Sequence, residues 1–333
     1  MRPDLPILGT RSWPRPEEPM LGGLAFGSGP AVPSALMAVG ARQLAPEAPM
    51  AIALPASDEP VRSGSQGLVR WCEAGPLLFG RIAVDESAFA EEAPSRLMDL
   101  TAAAYRDLFA TLETRGFPTL ARVWNYLPHI NLESHGLERY RQFNAGRQVA
   151  FAASGRPLVG NVPAACALGT HGGPLSIAFL AARGEFLPVE NPRQVSAYHY
   201  PRDYGERSPT FSRAGILRLN GRELLFVSGT AAIVGHRSLH PDDVVAQTHE
   251  TVANLRSVLA VAARTSPRVP ARLESLDFTV YLRHADDLAR VRGVLAEALE
   301  GAPRCTFVEA DVCRADLLVE IEATGEAMTG ASA

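Results

Sequence analysis

The sequence predicts an α+β fold in which one domain is duplicated, each copy a mixed β-sheet with two helices packed on one face. Three observations carry the prediction. The order ββαβαβ is read twice along the chain, at a period too long for a solenoid. Each copy holds two amphipathic stretches with apolar residues at helical spacing. Each also holds strand-length apolar runs, one pair of which turns at Asn220-Gly221, a dipeptide suited to a two-residue hairpin connection.

The elements follow in order. Residues 1–65 are rich in Pro, Gly and Ala and weakly periodic. They are expected to form an irregular N-terminal arm, with a short strand at "PMAIALP". In the first copy, residues 66–190, "GLVRWCEAGPLLFGRIAVD" reads as a hairpin and "PSRLMDLTAAAYRDLFATLETRG" as a long amphipathic helix. "TLARVWNYLPHI" is a strand, "GLERYRQFNAGRQVAFAAS" a second helix, and "AACALGTHGGPLSIAFLAAR" two strands about a Gly turn. Residues 191–213 form a linker dense in Tyr, Arg and Pro. It is too long for a bland connector, and long ordered loops commonly carry function. In the second copy, residues 214–333, "ILRLNGRELLFVSGTAAI" is a hairpin. "PDDVVAQTHETVANLRSVLAVAART" is a helix with Asp242 or Asp243 near its start, and "LESLDFTVYLR" is a strand. "ADDLARVRGVLAEALEG" is a helix ending at Gly301, and "CTFVEADVCRADLLVEIEA" the final strand pair.

Composition excludes several functions. The 333 residues carry a net charge of −4, so no global basic field points to nucleic acid. All 32 basic residues are Arg. Without Lys there is no Schiff-base chemistry and no Walker A loop. Four Cys without a CxxC suggest neither a zinc ribbon nor a disulfide framework. The eight His form no HExxH, and His236 and His240 are read as loop residues, so no metal is expected. "GTHGGP" joins two strands and is a turn rather than a phosphate cradle. No apolar signal region and no run of about 18 apolar residues is present, so a cytoplasmic protein without a membrane partner is expected.

Candidate chemistry concentrates in three places. "LERYRQFNAGR", residues 137–147, holds Arg139, Arg141 and Arg147 with Tyr140, Phe143 and Asn144 between them. These guanidiniums are either a solvated helix face or a clamp for a small dianion, and Arg147 can instead serve the helix end. On a helix, Arg139 and Arg141 do not both point into one pocket. In the linker, Tyr198 and Tyr204 are either packing residues or hydrogen-bond donors. In "LLVEIEA", Glu320 and Glu322 share a strand face by alternation.

The second copy, with "SPTFSRAGILRLNGRELLFVSGTA", "DVVAQTHETVANLRSVL" and "RCTFVEADVCRADLLVEIEA", resembles the RidA (YjgF-type) fold. In that family the ligand cleft lies between subunits of a trimer, and the resemblance implies that a Glu at the position of Glu320 faces such a cleft, with Arg213 binding a carboxylate there. From about residue 66 the chain resembles the chorismatases, which are built from RidA-like domains. The stretches that carry this are "RVWNYLPHIN", "GLERYRQFNAGR", "NPRQVSAYHYPRDYGERSPTFSRA", "SGTAAIVGH" and "CRADLLVEIE". The family implies cofactor-free release of pyruvate from chorismate, a small-molecule substrate. The expected second product is 3-hydroxybenzoate. The alternatives are 3,4-dihydroxycyclohexa-1,5-diene carboxylate or 4-hydroxybenzoate, and, more distantly, a RidA-like imine hydrolase or a metabolite-binding scaffold. A monomer or weak homo-oligomer is expected.

The chemistry fits these residue types. Chorismate carries two carboxylates, and Arg offers a planar fork that binds each bidentately. Its enol ether needs a proton on the methylene carbon, hence a carboxylic acid held protonated near neutral pH. A Glu on an apolar sheet surface meets that need by desolvation. The resemblance selects Glu320 over Glu322 as the acid, Arg139 and Arg213 as carboxylate holders, and Tyr198 as the orienting donor. It also places Cys313, seven residues before the acid, beside the ring in members that make 3-hydroxybenzoate. Ala231 or Ala232 stands where such members tend towards Gly. Laying "DLLVEIEA" on "PLSIAFLA" puts Glu320 opposite Ala178, so one active site per chain is expected.

Overall fold

In a computed structural model of the chain, residues 9–12, 20–27, 32–55, 59–88, 96–219, 221–269, 272–299 and 304–328 are described. Two seven-stranded sheets dominate. The first is built on the order Val69–Ala74, Leu77–Val84, Leu175–Ala182, Thr119–Pro128, Ala164–Thr170. The second repeats it as Ala214–Leu219, Arg222–Thr230, Val319–Met328, Asp277–Leu282, Arg304–Glu309. In both, the last strand of the copy inserts antiparallel between the hairpin and the next strand, and one parallel pair follows each second helix.

Helices α1 (Arg96–Arg115) and α2 (Arg139–Ala153) cover the outer face of the first sheet, and α3 (Val244–Thr265) and α4 (Leu288–Ala298) that of the second. On α1, Leu97, Leu100, Ala104, Leu108 and Leu112 recur at helical spacing and are buried against Leu78, Ile82, Val123 and Leu127. On α3, Asp243 caps the N-terminus by accepting a hydrogen bond from the Ala246 amide at 3.0 Å. The second hairpin turns as expected, with Leu219 paired to Arg222 and Gly221 at φ 80°, a left-handed conformation that glycine tolerates. Asn220 and the expected helix stop at Gly301 lie outside the described residues. No helix among the described residues is long and apolar enough to cross a membrane.

Because successive strand residues point to opposite faces, the inner faces of the two sheets share a core of their own. Trp124, Tyr126, Cys166 and Leu180 of the first copy meet Leu217, Phe226, Tyr281 and Val308 of the second. The expectation of an irregular arm over residues 1–65 is corrected here. Gly9–Ser12, Met20–Phe26, Leu36–Val39 and Met50–Pro55 form a four-stranded sheet. Leu21, Leu24, Phe26, Met37, Val39, Ile52 and Leu54 join the inter-sheet core, with Phe26 edge-on to Tyr126 and Tyr281. Arg42–Ala45 and Arg62–Gln66 extend the edges of the two large sheets. Met50–Pro55 is the strand expected at "PMAIALP"; Met20–Phe26 escapes sequence reading because it is buried at every position and so shows no alternation.

One small pairing positions the site. Asp311 and Val312, from the second copy, pair with Leu168 and Gly169 at the edge of the first sheet. The chain that follows, Cys313 to Asp316, is thereby carried against the first copy.

Candidate active site

A cavity of about 270 Å³ is lined by both copies and the linker. Copy one gives Tyr140, Arg141 and Arg147 from α2, and Ala165, Cys166 and Ala167 from a strand. The linker gives Tyr200, Tyr204, Phe211 and Arg213, and copy two gives Gly229, Ala231, Cys313, Arg314 and Glu320. Ser228 holds the three segments together. Its hydroxyl donates to the Ser212 carbonyl at 2.6 Å and accepts from the Ala165 amide at 2.9 Å. The pairing of Arg222–Thr230 with the final strand shifts register between Val227 and Thr230, an irregularity of the kind that re-aims side chains beside active sites.

Glu320 is 4% exposed. No hydrogen bond or ion pair to its carboxyl is present among the described residues. Burial, and then the neighbouring Glu322 charge, push its pKa up to about 8, against the pull of Arg122 and Arg213. The carboxyl is therefore mostly protonated at neutral pH. It lies against Gly229, where an added Cβ would come within 1.9 Å of Oε1 of Glu320 and 3.2 Å of Cβ of Cys166. A side chain there could be accommodated only by moving the Glu320 carboxyl. Gly229→Ala is expected to displace the carboxyl and lower turnover about 10- to 100-fold in a folded protein, as an ångström of misplacement does. Steady-state kinetics beside a thermal melt check this, and unchanged kcat would contradict it.

Three guanidiniums surround the cavity and are held by aromatic faces rather than by carboxylates. Arg213 lies 5.5 Å from the Tyr200 ring and 5.2 Å from that of Phe211, and donates to the Tyr200 hydroxyl and the Val195 carbonyl. Arg314 stacks 4.0 Å from the Tyr204 ring and donates to the His236 carbonyl. Arg147 lies 5.2 Å from the Phe143 ring and donates to Asn144. Nε of Arg147, Nε of Arg213 and Nη2 of Arg314 are buried without a hydrogen-bond partner among the described residues. Buried cations short of partners are costly, and an incoming anion relieves that cost. The fourth, Arg141, is engaged by Glu138 at 3.3 Å and by the Asp203 carbonyl.

Two expected site residues are displaced. Arg139 does not line the cavity. It forms an ion pair with Glu86 and donates to the Pro128 carbonyl at 2.8 Å, fixing the start of α2 to the turn after the first hairpin. It is neither clamp nor solvated face. Arg147, two turns further on, takes the inward position. Tyr198 ends in a one-turn 3-10 segment with its ring against His199, whereas Tyr200 follows in extended backbone and reaches Arg213. The remaining expected residues, Arg213, Ala231, Cys313 and Glu320, all line the cavity, and Ala231 rather than Ala232 does so.

Sequence reading missed Cys166, Gly229, Arg314 and Tyr200, and left Tyr140 without a role. The only signals were the "VSG" run and the Arg after Cys313. The thiol of Cys313 is pushed up to about 12 by burial, with Glu320 adding to it, and that of Cys166 is raised well above its ordinary value. Both are neutral thiols rather than nucleophilic thiolates at neutral pH. The match of Ala178 to Glu320 is also corrected. Ala178 faces Trp124, while Tyr126 faces Ser176 as Tyr281 faces Glu320, so the acid's counterpart by strand register is Ser176. The first copy lacks an acid at either position. No group of three or more His, Cys, Asp or Glu able to hold a metal occurs among the described residues.

Residues 55–181 match the family model described as chorismatase FkbO/Hyg5-like, N-terminal, and residues 210–327 match that of endoribonuclease L-PSP. The chain is 39% identical over 273 residues to a chorismatase of Streptomyces rapamycinicus, covering 80% of this chain and 79% of the relative. It is 38% identical over 236 residues to a 3-hydroxybenzoate synthase of Streptomyces hygroscopicus, covering 68% and 69%. A solved chorismatase structure superposes with a TM-score of 0.82 at 34% identity, over 96% of this chain and 99% of the other.

Proposed function

The chain belongs to the chorismatase family, and on that premise we propose that it splits chorismate into pyruvate and 3-hydroxybenzoate in the cavity between its two copies. The observation that carries the reading is a protonated Glu320 in a cavity ringed by incompletely paired guanidiniums. Arg147, Arg213 and Arg314 hold the two carboxylates, and Tyr200, hydrogen-bonded to Arg213, fixes that fork. Glu320 donates its proton to the methylene carbon of the enol ether. The ether carbon becomes an oxocarbenium centre. The oxygen of the adjacent ring hydroxyl bonds to the ring carbon that bears the ether as the bond from that carbon to the ether oxygen breaks, its proton returns to the Glu320 carboxylate, and pyruvate leaves. Opening of the resulting epoxide at the carbon that first carried the hydroxyl, with loss of the proton from the other, leaves 3-hydroxybenzoate. The atoms of chorismate divide between the two products with no net water consumed. Capture of water at the ring gives the non-aromatic diol instead.

Cys313 and Ala231 stand where the ring would lie and shape that partition. The methyl group of Ala231, in place of a hydrogen, favours the diol as a second reading. Both copies of one chain line the cavity, in keeping with a monomer or weak homo-oligomer.

Incubation with chorismate, a coupled pyruvate assay and product chromatography test the proposal. Pyruvate and 3-hydroxybenzoate in equal amounts are expected. Diol as the main product would overturn the product assignment, and absence of pyruvate the whole reading. Cys313→Ala is expected to lower the aromatic fraction while pyruvate release continues. An unchanged ratio at matched pyruvate yield would make Cys313 a packing residue.

A further inference from the structure

Behind Glu320, outside the cavity lining, lies a second buried carboxylate. Glu322 is two residues further along the same strand, hence on the same face and roughly 6.6 Å away along the chain. It is 3% exposed. Its partners come from both copies. Arg122, on the first copy's strand Thr119–Pro128, crosses between the sheets to form an ion pair with it. The Trp124 indole N–H donates to it at 3.3 Å, and the Tyr281 hydroxyl at 3.1 Å. The Tyr126 hydroxyl lies 2.8 Å from that of Tyr281, so a chain of two hydroxyls ends on Glu322. None of these groups lines the cavity.

Two carboxyls this close in a dry interior do not both ionise cheaply. The partners decide which does. Glu322 has a guanidinium and two neutral donors, all of which favour its anion. Glu320 has no hydrogen bond among the described residues. The charge therefore settles on Glu322 and the proton on Glu320.

We propose that Glu322, held as an anion by Arg122, Trp124 and Tyr281, is a positioning residue that keeps the proton on Glu320 and so sets the pH range of the reaction. This rests on the reading of Glu320 as the proton donor. The other groups facing Glu320 do not supply the effect. Cys166, from the first sheet, and Cys313, from the chain crossing to it, have thiols raised by burial. The Tyr140 phenol, from α2, is raised likewise. All three are neutral where Glu320 titrates. Arg213, from the linker, and Arg122 act in the opposite sense, drawing the proton off. Glu322 is the anion that offsets them.

The test is the pH dependence of pyruvate release from chorismate. In the wild type, activity is expected to fall as pH rises through about 8. Glu322→Gln removes the anion and leaves Arg122 unopposed. The falling limb should then move to lower pH by at least one unit, about a fivefold loss relative to wild type at the old midpoint, with activity recovered on acidification. Glu322→Asp, which keeps the charge, should restore the limb toward its wild-type position. Since a broken buried pair can unfold the protein, Arg122→Met/Glu322→Gln removes both partners together. Its limb should lie between those of the wild type and Glu322→Gln.

A second readout needs no turnover. With carbon-13-labelled Glu, the Glu320 carboxyl resonance, assigned by its loss in Glu320→Gln, should titrate at lower pH in Glu322→Gln. An unmoved resonance and limb, or a uniform loss of activity at every pH, would overturn the proposal. If the resonance shifts while wild-type protein releases no pyruvate, the tuning stands and the reaction assignment fails.

Discussion

Glu320→Gln is expected to lower pyruvate release at neutral pH by at least ~100-fold, the low end for loss of a general acid, while chorismate still binds. The amide keeps the shape of the side chain beside Gly229 and removes the proton that the mechanism transfers. Single-turnover kinetics with a binding titration separate the two effects. Near-wild-type turnover would remove Glu320 from the chemistry. Stability gives an independent sign. With a folded pKa of about 8 against an ordinary 4.5, the native state binds more protons than the unfolded state between these values. Stability attributable to this group is full below about 4.5 and declines as pH rises through 8. Thermal melts of Glu320→Gln should lack that decline, so a catalytic loss cannot be ascribed to unfolding.

Arg213→Met is expected to lower kcat/KM by ~30-fold or more, the effect of truncating one partner of a buried charge-assisted contact worth about 2–5 kcal/mol. The loss should fall mainly on KM, because a carboxylate held in ground state and transition state alike contributes uniform binding. Methionine retains the apolar stem against Tyr200 and Phe211, so the fold should persist. Arg213→Lys should recover part of the affinity at most, since an ammonium does not replace a planar fork. An unchanged KM in both variants would assign Arg213 to the architecture of the linker alone.

Much of the fold was legible in local signals. Helix periodicity, the Asn220-Gly221 turn and strand-length apolar runs are imposed by neighbours a few residues apart, and they return the α+β duplication with the four α-helices seen among the described residues. Of the N-terminal sheet only the strand at Met50–Pro55 was legible; Met20–Phe26, buried at every position, carries no alternation.

The acid, its Cys neighbour and Arg213 follow from residue type, strand alternation and the chemistry of an enol ether, joined to the resemblance those motifs carry. Which arginines face the cavity does not follow. Arg139 and Arg147 read alike along the chain. Glu86, 53 residues before Arg139, draws it away, and nothing local to either residue announces that contact. The separation of Glu320 from Glu322 is of the same kind. Along the strand they are equivalent, two carboxyls on one face. Arg122 approaches from 200 residues away and makes one an anion and leaves the other an acid. Sequence determined which groups exist and which face of their own element they share. Tertiary structure decided their protonation and partners, because desolvation and charge pairing depend on what packs across from a residue rather than what precedes it.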